Sequence, residues 1–168
     1  MTLSALTDRL SRALLAIAAL WAFALAFYIL ADVIGRGLLG RPLVGTPEIV
    51  RNSIVMIALL QTPYAVRSGA MLRADFILHI LPKAAQRAVN GAGYLLAVAV
   101  FGALVWGSLE PAIVAWQRNE FDGMGAVQVP VWPVRWAMVF TGALVVVNYL
   151  LLAWREFRPP LPGTEDGA

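Results

Sequence analysis

Asp32 and Arg36 stand four residues apart, so on a helix they share a face and can pair. Such a pair can fix the depth of a helix end, meet a partner subunit or carry a transferable proton. Gln61-Thr62-Pro63 offers a second chemistry. Pro63 has no N–H for the carbonyl of Leu59, and its ring pushes that carbonyl away. A carbonyl freed beside Gln61 can coordinate an ion, or a neighbouring helix or Thr62 can satisfy it. His79 is the only histidine. It is either a pH-responsive group or ligand, or an amphipathic residue at an interface. Nothing else in the sequence suggests catalysis. With no cysteine and one histidine, disulfides, thiolate metal sites, paired-histidine haem ligation and His-rich zinc sites are excluded. No phosphate loop, nucleophile–base arrangement or carboxylate pair near a span centre is present. No cofactor is expected, and the chain reads as a non-enzyme.

The elements that carry these residues are apolar. The chain is 60% hydrophobic and 14% charged over 168 residues, whereas a water-solvated domain has roughly a quarter of its residues charged. Charge-free runs of 19, 15, 22 and 19 residues separate Arg12 from Asp32, Arg51 from Arg67, Arg87 from Glu110 and Arg135 from Arg155. At about 1.5 Å per residue, roughly 20 residues cross a hydrocarbon core of about 30 Å. The second run is extended by Thr46-Pro47-Glu48, which reads as a cap, a first-turn proline and an acid at the positive end of the helix dipole. The expectation is an all-α integral membrane fold. Its four transmembrane helices cover about residues 12–34, 47–66, 84–109 and 133–154. A short interfacial helix around residues 75–82 joins the second to the third. Residues 159–168, rich in proline, glycine and acid, form a disordered cytoplasmic tail.

The basic residues give an orientation. With the N-terminus inside, eight face the cytoplasm (Arg9, Arg12, Arg67, Arg73, Lys83, Arg87, Arg155 and Arg158) and five face outward (Arg36, Arg41, Arg51, Arg118 and Arg135). This bias puts both termini in the cytoplasm. The apolar run continues past Ala24-Leu25-Ala26 to Ala31, too long for a signal-peptide core. The basic residues are scattered rather than clustered, which argues against nucleic acid as a partner. Trp106, Trp116, Trp132, Trp136 and Trp154 lie toward span ends as an interfacial aromatic belt. Ala18, Ala22 and Ala26, and Ala99, Ala103 and Gly107, recur every four residues, either as close-packing faces or as a product of alanine richness.

An ion-coupled transporter working alone needs ionisable groups at mid-span, and a channel needs a selectivity ring. Here the charge-free runs offer only the amides Asn52, Gln61, Asn90 and Asn148, and no acidic or basic group. The chain therefore reads as an accessory subunit. The alternative is a small stand-alone transporter or channel acting as an oligomer. A membrane anchor of a redox enzyme is disfavoured by the single histidine.

Several segments, in order, resemble the small permease subunit of TRAP (tripartite ATP-independent periplasmic) transporters, DctQ type. Asp32-Val33-Ile34-Gly35-Arg36 closes the first helix, and Pro47-Glu48-Ile49-Val50-Arg51 opens the second. Arg67-Ser68-Gly69-Ala70-Met71-Leu72-Arg73-Ala74-Asp75 then leads to Leu81-Pro82, and Val129-Pro130-Val131-Trp132-Pro133 precedes the fourth helix. The resemblance extends over about residues 10–155. It departs from the family at Met71, where members often carry histidine, and in lacking a tryptophan shortly before Glu48. It implies a bacterial inner membrane location and two partners. One is a large permease subunit carrying the sodium sites and the moving substrate elevator. The other is a periplasmic protein that captures an organic acid or similar small anion. Asp32, Arg36, Glu48, Arg67, Asp75, Glu120, Asp122 and Trp132 are the candidate partner-interface residues. Among them, Glu120 and Asp122 in the longest outer loop, with the Asp32/Arg36 helix end, are the candidate docking surface for the periplasmic protein.

Overall fold

The structure, a computed structural model, describes residues 3–41, 43–68, 82–122 and 128–157. Four helices dominate: α1 (Leu3–Leu39), α2 (Thr46–Arg67), α3 (Lys83–Arg118) and α4 (Trp132–Phe157). All four are long and apolar enough to cross a membrane. The expected interfacial helix, with Asp75 and His79, lies outside the described residues, as does the tail from residue 159.

α1 and α3 hold 37 and 36 residues, or roughly 55 Å of helix. They overrun a hydrocarbon core of about 30 Å. The third charge-free run ends at residue 109, just before Glu110 and Pro111, and the helix continues beyond it through Pro111 to Arg118. A proline removes only its own N–H. The turns beyond it are held because Ala112 and Ala115 are fully buried and Arg135 Nη1 donates to the Pro111 carbonyl at 2.9 Å. The helix stops at Asn119, whose φ of 47° is left-handed, a conformation asparagine tolerates better than most residues. Beyond it β1 (Phe121–Asp122) pairs antiparallel with β2 (Val129–Pro130), a short ladder that loop composition did not suggest.

The helices form an open row. α1 packs on α2, α2 on α4 and α4 on α3, while α1 touches α4 sparsely and α2 has no substantial packing with α3. The end-to-end contacts make α1/α2 and α3/α4 antiparallel hairpins, joined through the parallel neighbours α2 and α4. On α1 the buried positions are Thr7, Ser11, Leu14, Ala18, Leu25 and Asp32, and on α2 they include Thr46, Ser53 and Leu60. Steps of three, four and seven keep one seam facing its neighbour, as in coiled coils. The core is small: Leu14, Ala18, Leu60 and Leu144, flanked by Leu10, Met56 and Ile57. Of the first alanine stripe only Ala18 is fully buried, and Ala99, Ala103 and Gly107 are all exposed. Between helices in lipid, close packing rather than water exclusion supplies the attraction. The row leaves much apolar surface outward, since only 6% to 28% of each helix's most apolar window is buried.

Candidate functional site

Polar side chains gather at the two ends of the row. At one end Asp32, on the last turns of α1, is 4% exposed. Its Oδ2 accepts from Arg36 Nε at 2.8 Å and faces Nη2 at 2.7 Å. Its Oδ1 accepts from the Leu43 backbone N–H at 2.8 Å. The Thr46 hydroxyl lies 3.1 Å from both Asp32 Oδ1 and the Leu43 carbonyl. This changes the reading of Thr46 as a helix cap. Gly45, at φ 81°, is the N-cap residue and no side chain caps the helix. The Thr46 hydroxyl turns instead to the carboxylate, because a charged acceptor gives the stronger bond. The chain doubles back tightly here. Arg41 N–H donates to the Gly35 carbonyl at 3.2 Å, and a Cβ on Gly35 would sit 3.0 Å from the Arg41 carbonyl oxygen.

The same end holds two further ion pairs. Arg51 Nη2 of α2 lies 3.3 Å from Asp122 Oδ2, and Arg135 Nη2 of α4 lies 3.2 Å from Glu120 Oε2. With Phe121 and Val131 these four side chains line an open cleft of about 380 Å³. The Val131 N–H donates to the Glu120 carbonyl at 2.9 Å. Trp116 and Trp132 meet edge to face with centroids 4.8 Å apart, the geometry aromatic quadrupoles favour. The segment between α3 and α4 is thus clamped at its base and tied to α2.

At the opposite end Arg67, the last residue of α2, joins three helices. Its Nε donates to Asp8 Oδ1, its Nη2 to the Ser4 carbonyl at 2.8 Å, and its Nη1 to Asn148 Oδ1 at 3.4 Å. Asn148, with no exposed surface, donates from Nδ2 to the Pro63 carbonyl at 3.4 Å. The Thr62 hydroxyl donates to the Ala58 carbonyl at 2.8 Å. α2 continues through Pro63, with its neighbourhood tied down by its own helix and by α4. The Arg67 side chain is 10% exposed.

The candidate residues therefore divide by place. Asp32 and Arg36 meet each other. Glu120 and Asp122 meet arginines rather than each other, and Trp132 meets Trp116. Glu48 is half-buried in the first turn of α2. Arg67 lies at the far end from all of these. Asp75 is outside the described residues. Sequence reasoning missed Asp8 as the partner of Arg67, and Arg51 and Arg135 as partners of the loop acids. Among the described residues no group of three histidine, aspartate or glutamate side chains converges where a metal could be held. The arrangement is suited to holding helices and presenting a charged end surface.

Comparison with known proteins places this architecture. A family model described as "Tripartite ATP-independent periplasmic transporters, DctQ component" matches residues 25–159. No curated protein matches the sequence.

Proposed function

The chain belongs to the DctQ family, the small permease component of TRAP transporters, and from that premise we propose that it braces the large permease subunit of a sodium-coupled transporter for organic acids or similar small anions. The coarser facts are a multi-pass membrane protein and a transporter component; TRAP systems of this family combine a large permease and a periplasmic binding protein. The bracing role is supported chiefly by one observation: an open row of helices that leaves most of its apolar surface uncovered, while Asp32, Arg67, Glu120 and Asp122 are engaged within the chain. A row of this kind offers a partner a broad flat face and offers a substrate no charged site at mid-span.

In this reading the chain lies in the bacterial inner membrane with the Arg67 end cytoplasmic and the Asp32 end periplasmic. The cleft between Arg51, Asp122, Glu120 and Arg135 then faces the periplasmic binding protein. Exposed pairs of this kind contribute only about 0–1 kcal/mol each, so a partner can exchange them for intermolecular pairs without unfolding the loop. A catch-and-release partner calls for such a polar, modest surface.

The reading is tested by co-extraction. Co-expressed with the large permease subunit and solubilised in mild detergent, the tagged chain should elute as a complex with that subunit. Elution solely as a homo-oligomer would contradict bracing and favour the stand-alone alternative.

A further inference from the structure

Three polar side chains of α2 close their bonds inside the chain. The Asn52 amide donates to the Glu48 carbonyl at 3.0 Å, the Thr62 hydroxyl donates to the Ala58 carbonyl at 2.8 Å, and Arg67 is bonded to α1 and α4. Gln61 differs: its amide makes no hydrogen bond among the described residues. Gln61 lies ten residues from Arg51 and six from Arg67, about 15 Å and 9 Å along the helix axis. Side chains of a helix lean toward its N-terminus, here toward Arg51. The amide therefore leans away from the nearer interface and into the hydrocarbon layer. Its two donors and its acceptor oxygen find no partner among lipid tails.

Helical spacing fixes the side on which this amide lies. Pro63, whose carbonyl accepts from Asn148 of α4, is roughly 160° around α2 from Gln61, so Gln61 is on the side turned away from α4. The same side carries Ile54, 55% exposed, with Ala58 exposed and Ala65 half-buried. Steps of four, three and four join Ile54, Ala58, Gln61 and Ala65 into one stripe. Alanines on either side of the amide let a second helix backbone come close, and a polar side chain between them fixes its register. A partner that meets an amide at this depth must itself span the membrane, which excludes the periplasmic component of a tripartite system. We propose that Gln61 hydrogen-bonds to a polar side chain or free carbonyl on a transmembrane helix of the large permease subunit, seated along this stripe. The proposal rests on the bracing role and assigns it to one face of α2.

Three measurements on the full chain test it. In titrations with the large subunit in one mild detergent, Gln61→Leu should weaken assembly about three- to tenfold, the range of an interhelical bond in a membrane. The unfolding midpoint of the isolated Gln61→Leu chain should stay level or rise, since no internal bond is lost; a residue that held this chain's own helices together would lower it. Because the chain has no cysteine, Ile54→Cys offers a single site for a benzophenone, which should photo-cross-link to the co-expressed large subunit in membranes. The proposal is overturned, with bracing left intact, if the parent complex forms and Gln61→Leu assembles as tightly. It is also overturned if Gln61→Leu lowers the midpoint of the isolated chain, or if the benzophenone at position 54 couples only to lipid or to a second copy of this chain. Failure of the parent to bind the large subunit at all would remove bracing itself, and the proposal with it.

Discussion

At the scale of residues, Arg67 gathers more of the chain than any other described side chain. It holds α1 through Asp8 and Ser4 and α4 through Asn148. Replacing a largely buried arginine by alanine leaves three acceptors without their donor. Breaking a buried pair costs about 3–5 kcal/mol, but Asp8 is 38% exposed and can turn to water. Arg67→Ala is therefore expected to lower stability by about 2 kcal/mol, read as a shifted unfolding midpoint in detergent. The exchange Asp8→Arg with Arg67→Asp should recover part of that loss. An unchanged midpoint for Arg67→Ala would remove this node from the account. The residue scale also shows what a sequence reveals. Asp32 and Arg36 pair across one turn, and their spacing announces it. Arg67 finds Asp8 59 residues away and Asn148 81 residues away; no local spacing signals partners that only helix packing brings together.

At the scale of elements, the existence of four helices followed directly from charge-free runs, because a backbone in lipid must satisfy its own hydrogen bonds. Where the helices end was less legible. The third charge-free run stops before Glu110 and Pro111, yet packing of Ala112 and Ala115 carries α3 onward. The small-residue stripes were also ambiguous, since alanine every fourth residue arises both from packing and from composition. The decisive small residue is one the stripes did not contain. A Cβ on Gly142 of α4 would sit 2.7 Å from Val105 Cγ2 of α3, whereas one on Gly107 meets nothing within 4 Å. Gly142→Ala should cost about 1–3 kcal/mol by wedging α3 from α4, and adding Val105→Ala should restore most of it. Gly107→Ala should stay within about 0.5 kcal/mol of the parent. Denaturation of the parent and the three variants in one detergent tests this, and equal effects at Gly142 and Gly107 would contradict the α3/α4 packing.

At the scale of the whole molecule, the chain is a row of two hairpins pinned at both ends and uncovered on its faces, an arrangement that suits a part of a larger assembly. Its sidedness rests on eight basic residues against five. Reporter fusions after Glu156 should read cytoplasmic and those within residues 123–128 periplasmic. The reverse result would remove the cleft at Arg51 and Asp122 from the side where a binding protein could reach it. The central claim is that the chain supports transport without performing it. Its most direct test is uptake into proteoliposomes under a sodium gradient, with the binding protein outside. Vesicles with this chain alone should match empty ones, those with both permease subunits should accumulate the organic acid, and the large subunit alone should fall well short. Sodium-driven uptake by this chain without the large subunit would contradict the account.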